Sequence, residues 1–163
     1  TGMEITMIAA LDEGGGLGKA GRMPWHCPAD LRQFQAYTMG KPLLMGRKTA
    51  EPLRRRLSGR QLIIQSRTMK DPDFPVVRTV NEALAWMAAH PEFDELVIGG
   101  GGEIYALWLP YAANLRISRI AGRFDCDTFF PKWDPQEWIC RKQSEEDGFL
   151  LEEWDRTKRI ITR

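Results

Sequence analysis

One carboxylate among apolar residues has the clearest chemical potential in this sequence. Asp30 follows Trp25 and lies four residues before Phe34. Pro28 suits the first turn of a helix, where its missing N–H costs nothing, so Asp30 falls in that turn with Leu31 beside it. A carboxylate near these apolar side chains is costly unless a cation or a hydrogen-bond donor pairs with it. Asp30 therefore either complements the helix dipole or binds a ligand, and the motifs below favour a ligand.

Two glycine-rich segments compete as phosphate-binding sites. The first, 16–21, matches the GxGxxG pattern and follows the first predicted strand. That pattern binds a dinucleotide only when its last glycine opens a helix. Because Arg22-Met23-Pro24-Trp25 intervenes, we expect no helix before about Pro28, and the match is fortuitous. We predict instead a long flexible loop over 12–24, a candidate lid above the site.

The second glycine-rich segment, Gly99 to Gly102, is better placed for phosphate. It directly follows an apolar strand, 96–98, and runs into an amphipathic helix over 103–109 that Pro110 stops. Glycines let backbone approach a ligand closely, and free N–H groups at a helix start attract anions. A plain strand-to-helix turn is the alternative, but four consecutive glycines exceed what a turn needs.

Basic residues follow two further predicted strands. Arg47-Lys48-Thr49 comes after the strand at 42–46, and Ser66-Arg67-Thr68 begins at the last residue of the strand at 62–66 and continues beyond it. Each basic residue alone is more often solvated surface. Ligands of open α/β sheets lie beyond the carboxyl ends of the strands, and arginine suits a 2′-phosphate. Together these residues predict a dinucleotide that carries an extra phosphate.

The alternation of strands and helices predicts the elements that position these residues. Buried strands are expected at 5–11, 42–46, 62–66 and 95–99, and helices at 28–38, 47–55, 80–89 and 102–109. Such alternation is typical of a mostly parallel, twisted α/β sheet with helices on both faces. A half-exposed strand follows at 115–120, and strands at 138–144 and 149–157 flank an Asp-Gly turn. An antiparallel C-terminal hairpin should therefore close one edge of the sheet.

Composition bounds the class of protein. The 163 residues suit a single domain, 1–163, in which Thr1-Gly2 has the character of an expression scar before Met3. A net charge of +1 argues against nucleic acid or membrane binding, and no apolar run is long enough to span a bilayer. Three scattered cysteines indicate free thiols in the cytoplasm, and two unpartnered histidines predict no metal site.

Taken together, these motifs resemble dihydrofolate reductase of the monomeric bacterial type. The resemblance runs from about residue 5 to 157, in the order of the family and nearly with its spacing. It rests on the segments Ile8-Ala9-Ala10, Met23-Pro24-Trp25, Pro28-Ala29-Asp30-Leu31, 41–49, Leu57-Ser58-Gly59-Arg60, 97–105 and Asp127-Thr128-Phe129-Phe130-Pro131.

The resemblance implies roles for residues around the substrate. Asp30 would bind the 2-amino and ring N–H edge of the pterin, and Trp25 would hold an ordered water. Arg60 would pair with the carboxylate of the glutamate tail. The implied catalytic residues are Asp30, Trp25, Met23 and Tyr105. The implied substrate-binding residues are Ile8 and Ile98 through their carbonyls, Asp30, Leu31, Phe34, Leu53, Arg55, Leu57, Arg60, and Ser118 in place of the usual threonine.

The resemblance also implies NADPH as the cofactor, with Tyr105 near the nicotinamide. The implied cofactor-binding residues are Ala10, Leu17, Gly18, Gly46, Arg47, Lys48, Thr49, Ser66, Arg67, Gly99, Gly100, Gly101, Gly102, Glu103, Ile104 and Tyr105.

This chain departs from the family in three places. Its glycine run is one residue longer, which leaves the position of the expected cis Gly-Gly peptide open. Cys126 replaces a common glycine, and the lid carries a glycine-rich stretch over 14–18.

The implied reaction is NADPH-dependent reduction of 7,8-dihydrofolate to tetrahydrofolate, which supports one-carbon metabolism and thymidylate synthesis. A hydride would reach C6, and water admitted by the lid would protonate N5. Two alternatives are an NADPH-dependent pyrimidine reductase of riboflavin synthesis and a non-catalytic NADPH-binding module. Neither needs the pocket formed by Trp25, Asp30 and Phe34. We further expect a cytoplasmic monomer that binds antifolate-type small molecules and neither nucleic acid nor membrane.

Overall fold

The computed structural model describes residues 3–19 and 21–157. The predicted expression scar, Thr1-Gly2, lies outside the described residues, as does Ala20 of the predicted lid. The described elements are, in chain order, β1 (Glu4–Leu11), β2 (Gly16–Gly18), α1 (Pro28–Thr38), β3 (Pro42–Gly46), α2 (Arg47–Ala50), β4 (Gln61–Gln65), β5 (Val76–Val77), α3 (Val80–Ala88), β6 (Glu95–Ile98), α4 (Gly102–Trp108), a 3-10 helix (Leu109–Tyr111), β7 (Asn114–Ile120), β8 (Thr128–Phe129), β9 (Trp138–Glu146) and β10 (Phe149–Arg156).

The main sheet has eight strands in the order β5-β4-β3-β6-β1-β7-β10-β9. The pairs from β5 to β7 are parallel, whereas β10 runs antiparallel to β7 and β9. The β9–β10 hairpin turns at Asp147-Gly148, where the positive φ of Gly148, 87°, suits a residue without a side chain. The predicted mostly parallel sheet with an antiparallel C-terminal edge is confirmed.

Alternate residues of the central strands enter two separate core clusters, because neighbouring side chains on a strand point to opposite faces. The first cluster includes Met7 and Ile98 and packs against α3 and α4. The second cluster includes Ile8 and Val97 and packs against α1 and α2. Helices therefore cover both faces of the sheet, as predicted. The central strands carry apolar side chains on both faces for this reason.

The structure corrects three details of the prediction. The helix predicted over 47–55 ends at Ala50 and gives way to successive turns, because Pro52 has no N–H to continue the helical pattern. The predicted loop over 12–24 contains the short strand β2, which pairs with β8. The two-residue strands β5 and β8 were not predicted at all.

Candidate active site

Asp30 lies in the first turn of α1, and its side chain is 8% exposed. Its Oδ1 accepts hydrogen bonds from Ser118 Oγ at 2.5 Å and Gln33 Nε2 at 3.0 Å. Oδ2 makes no hydrogen bond to any described residue. Since every fully buried polar side-chain atom in the described part of the chain has a partner, Oδ2 is open to the cleft. The carboxylate is thus fixed at one oxygen and available at the other.

A series of polar side chains, linked to one another by hydrogen bonds, holds Asp30 in this arrangement. Gln33 bridges Asp30 to Arg116, whose Nε donates to Gln33 Oε1 at 3.0 Å. Arg116 in turn pairs with Glu153 at 3.2 Å and lies over the Tyr37 ring. Because Arg116 must donate to the amide oxygen, the Gln33 amide nitrogen is left to face Asp30.

The apolar residues expected around Asp30 share one face of the sheet. Ile8 and Leu57 are buried in the second core cluster, and Phe34 and Leu53 pack against it. We call these four residues with Asp30 the Asp30 pocket. Two further predicted residues, Leu31 and Met23, are 45% and 51% exposed, as expected for residues at the rim of an open cleft. Trp25 is half-buried and packs edge-on against Phe124, with ring centroids 5.6 Å apart.

Arg60 is held in place by three hydrogen bonds. Its Nε donates to Thr38 Oγ1 at 3.1 Å, and its terminal nitrogens donate to the carbonyls of Ser58 and Gln35. A guanidinium carries five N–H donors, so two remain for a ligand. Arg55, predicted to lie nearby, is exposed. Its neighbour Arg54 instead pairs with Asp71 at 2.7 Å, and the two side chains of this ion pair are only 19% and 2% exposed.

Tyr105 on α4 is hydrogen-bonded to the backbone of β1. Its hydroxyl donates to the carbonyl of Ile8 at 2.5 Å. Burial, together with the negative charge of Asp30, raises the pKa of Tyr105 above its ordinary value. The phenol is therefore a neutral donor at neutral pH. Ile98 packs its side chain on the opposite face from Ile8, so only its backbone is available to a ligand near the Asp30 pocket.

The glycine run forms a tight turn between β6 and α4. The peptide between Gly100 and Gly101 is cis, which places the bond that the sequence left open. The Gly100 carbonyl accepts from Gly46 N at 2.8 Å. A side chain at Gly101 would meet Thr49 Oγ1 at 3.2 Å, so glycine here keeps the space beside Thr49 clear.

A groove of about 950 Å³ runs from this turn along the carboxyl ends of β3 and β4. We call it the basic groove, because its described lining residues include four basic side chains, Arg47, Lys48, Arg67 and Arg78, and one acidic side chain, Glu103. The structure brings ten predicted cofactor residues together here, namely Gly46, Arg47, Lys48, Thr49, Ser66, Arg67, Gly101, Gly102, Glu103 and Ile104.

Several groove residues were missed by sequence reasoning. These are Gln65, Arg78, Thr79, Val80, Asn81, Leu107, Tyr111 and Thr128, whereas Thr68 lines the groove beside Ser66 and Arg67, as the sequence predicted. Arg78 donates to the carbonyls of Ser66 and Met69 at 2.7 and 2.6 Å, and so fixes the turn that carries Arg67. The sequence did offer a signal for Arg78, because it is a basic residue that directly follows two β-branched residues. The remaining predicted cofactor residues, Ala10, Leu17, Gly18, Gly99, Gly100 and Tyr105, lie outside the groove lining.

The base of the predicted lid is held by Asp12. Its carboxylate accepts from the backbone N–H groups of Gly14, Gly16 and Phe124 at 2.8 to 2.9 Å. Burial would raise the pKa of this carboxyl, but the three N–H donors and the Cys126 thiol hold it below its ordinary value. The carboxylate thus ties the lid to the loop that precedes β8.

Two classes of feature are absent from the described part of the chain. No cluster of three or more His, Cys, Asp or Glu side chains there has an arrangement that could hold a metal ion. None of the described helices has the length and apolar character that crossing a membrane requires.

Comparison with known proteins agrees with this cleft. A sequence model of the dihydrofolate reductase family matches residues 4–154. The chain is 38% identical to dihydrofolate reductase of Haemophilus influenzae, with 83% of this chain and 84% of that protein aligned. It is 40% identical to dihydrofolate reductase of Neisseria meningitidis, over the same shares of each chain.

A solved structure gives the same result at the level of the fold. Dihydrofolate reductase from Enterococcus faecalis, complexed with NADP(H) and RAB-propyl, superposes with a TM-score of 0.84. It is 30% identical, and the match covers 95% of this chain and 97% of that one. The fold and the site define an NADPH-dependent oxidoreductase. This chain belongs to the dihydrofolate reductase family.

Proposed function

We propose that this chain reduces 7,8-dihydrofolate to 5,6,7,8-tetrahydrofolate in a cleft formed by the Asp30 pocket and the basic groove. The observation that carries the proposal is Asp30 itself, a buried carboxylate fixed at Oδ1 and open at Oδ2. A pterin presents an amino group and a ring N–H side by side. Two adjacent donors on a flat ring match the oxygens of one carboxylate, and the bonds are charge-assisted.

The Asp30 pocket orients the substrate through both apolar and polar contacts. Phe34, Leu53 and Leu57 supply apolar surface for flat rings, and the two free donors of Arg60 suit the carboxylate of the glutamate tail. Holding the reacting ring in one orientation is itself a large contribution to rate. The negative charge of Asp30 also favours a pterin that is gaining a proton.

The basic groove fits the cofactor NADPH. Its four basic residues complement phosphate groups, and Gly101 and Gly102 leave backbone free to approach a pyrophosphate. When bound, NADPH supplies the hydride that C6 of the substrate receives. Arg67 is the residue that we assign to the 2′-phosphate, because it follows β4 beside Ser66 and Thr68 at the edge of the groove.

The proton for N5 comes from water rather than from a side chain that touches it. Asp30 is engaged at the amino edge of the pterin, and the raised pKa of Tyr105 keeps its hydroxyl protonated. Met23 is exposed and Trp25 is half-buried, and both lie at the end of the predicted lid. We assign them to holding this water and limiting its access.

We further propose that the chain acts as one dihydrofolate-reductase-like domain and as a cytoplasmic monomer. Only six large hydrophobic side chains among the described residues are exposed, Met39 and Ile139 among them, which is few beside the roughly 20–30 residues a side that a stable interface uses. Antifolates with a diamino-substituted ring suit Asp30 for the same reason as the pterin does.

The test follows oxidation of NADPH by loss of the absorbance of its reduced nicotinamide. We expect oxidation with dihydrofolate in the wild-type protein and very little in Asp30→Asn. Oxidation with an aminopyrimidine that carries a ribosylamino phosphate, but not with dihydrofolate, would favour the pyrimidine reductase alternative. Binding of NADPH without turnover of either substrate would favour the non-catalytic module. The family match already argues against both alternatives.

A further inference from the structure

Gln65 is a buried polar side chain that the mechanism above does not use. It is the last residue of β4, it is 6% exposed, and it lines the basic groove beside Ser66 and Arg67. On its inner side it meets Trp108 of α4, whose Nε1 donates to Gln65 Oε1 at 2.8 Å in a buried hydrogen bond. Trp108 itself is fully buried in the first core cluster.

The contact with Trp108 fixes which way the Gln65 amide points. An indole nitrogen is a donor and never an acceptor, so the amide oxygen of Gln65 must face it. The amide NH₂ group therefore faces the other way, and its orientation follows from chemistry rather than from an arbitrary choice between oxygen and nitrogen. Trp108 is rigidly packed, so this orientation has little freedom to change.

The amide nitrogen of Gln65 has no hydrogen-bond partner among the residues that the structure describes. Every fully buried polar side-chain atom in that part of the chain is paired, so Gln65 Nε2 must reach the groove surface. An oriented donor that reaches the groove surface without a protein partner is hydrated in the free protein and is available to an acceptor on a ligand. The residues that line the same groove include Val80, Asn81 and Leu107.

We propose that Gln65 donates a hydrogen bond to an acceptor on the 2′-phosphoadenosine half of NADPH, and that Trp108 is a positioning residue that acts through Gln65. The inference rests on the proposed assignment of the basic groove to the cofactor. Gln65 lies beside Arg67, the residue assigned to the 2′-phosphate, and this location favours a contact with the adenosine half of NADPH over the nicotinamide half. The adenine ring nitrogens N1, N3 and N7 and the ribose and phosphate oxygens are all acceptors to which this NH₂ group can donate.

The first test needs no variant. Adenosine 2′,5′-bisphosphate, which lacks the nicotinamide, is titrated into the ¹⁵N-labelled wild-type protein. We expect the Gln65 side-chain NH₂ signals to shift together with the backbone amides of Ser66 and Arg67. Movement of those backbone amides without any movement of Gln65 NH₂ overturns the proposal for Gln65 and leaves the groove assignment intact. No movement of either group overturns the groove assignment itself.

The second test uses calorimetric titration of the same probe into variants. Gln65→Met keeps the length of the side chain but removes the donor, and should weaken binding about three- to tenfold, the range for one hydrogen bond. Gln61→Met, at the opposite end of the same strand, is the matched control and should bind like the wild type. Equal affinity of Gln65→Met and wild type contradicts the proposal.

The role of Trp108 is tested by a double-mutant cycle. Trp108→Phe should weaken binding of the probe by less than Gln65→Met does, because the amide loses its fixed orientation but keeps its donor. The double variant Gln65→Met/Trp108→Phe should bind no more weakly than Gln65→Met alone, because Trp108 has nothing left to position. Losses that add in the double variant contradict a positioning role. Should the variants fail to fold, the wild-type titration still decides whether Gln65 binds the probe.

Discussion

The Asp30 pocket and the basic groove recognise their ligands in contrasting ways. In the Asp30 pocket one charged group lies among apolar side chains, and Ser118, Gln33 and Arg116 fix it through a chain of hydrogen bonds. In the basic groove the charge is divided among several basic residues, and Arg47, Lys48 and Arg67 are exposed. The Asp30 pocket thus has its charge on a single residue, whereas the charge of the basic groove is spread over several residues.

The contrast has an energetic consequence. A buried carboxylate that forms two charge-assisted bonds with one ligand is irreplaceable, because no neighbour can take over its contacts. Exposed cations contribute less each, because water and salt screen them, and neighbours compensate in part for the loss of one. We therefore expect single substitutions to have large effects in the Asp30 pocket and graded effects in the basic groove.

The strongest test of the contrast is Asp30→Asn. The amide removes the charge and places an NH₂ group against the donors of the pterin. We expect kcat to fall by roughly 10²–10⁴, the scale of lost acid–base assistance. NADPH affinity, measured by quenching of tryptophan fluorescence, should stay at the wild-type value. If kcat of Asp30→Asn falls by no more than about threefold, a much smaller loss than expected, the proposed role of Asp30 is contradicted.

Within the basic groove, Arg67→Ala should have the largest effect. Loss of a charge-assisted contact worth about 1.5–3 kcal/mol should lower the preference for NADPH over NADH by roughly 10–100-fold. The measurement is the ratio of kcat/KM for the two cofactors. Arg141→Ala, on the distant strand β9, is the control and should leave the ratio unchanged. An unchanged ratio in Arg67→Ala excludes its contact with the 2′-phosphate.

Ser118→Ala probes the support of Asp30 rather than its charge. The variant loses the 2.5 Å hydrogen bond to Oδ1 but keeps the bond from Gln33. We expect KM for dihydrofolate to rise about three- to tenfold, the range for the loss of one typical hydrogen bond, because Gln33 still holds Asp30. Ser118→Thr keeps the hydroxyl and should restore the wild-type KM. Equal KM values for the alanine and threonine variants would show that the hydroxyl contributes nothing.

The smallest expected effect is that of Lys48→Ala. Lys48 is exposed, and an exposed charge contributes about 0.2–1 kcal/mol, so NADPH affinity should fall by roughly two- to fivefold. The difference between variant and wild type should shrink as salt is added. A loss in Lys48→Ala as large as that in Arg67→Ala, and insensitive to salt, would contradict distributed recognition in the groove.

Local sequence signals predicted most of the fold but few of its short elements. The helix at 28–38 followed from Pro28. The sequence also marks the start of α3, because Thr79 with Glu82 three residues later is a capping pattern, and in the structure the Thr79 side chain accepts from Glu82 N. The two-residue strands β5 and β8 were missed, because two residues carry no periodicity. Their pairing depends on β4 and β2, which lie elsewhere in the chain.

The candidate site divides in the same manner. Asp30 and the basic strand ends could be found from residue type and position alone, because those types are unusual where they stand. Gln65 could not, because a glutamine at the end of a strand carries no signal by itself. Its significance depends on Trp108, 43 residues away, which decides the direction of its amide. The Gln33–Arg116 link behind Asp30 was hidden for the same reason.

Gly16 and Cys126 illustrate how closely the lid fits its neighbouring loop. A side chain at Gly16 would collide with the side chain of Cys126, which leaves no space for one more methyl group. A bulkier residue at Gly16 is therefore tolerated only alongside a smaller residue at Cys126. A library that randomises Gly16 alone should return mostly inactive clones, whereas one that also varies Cys126 toward glycine should recover sequences that the first search would not reach.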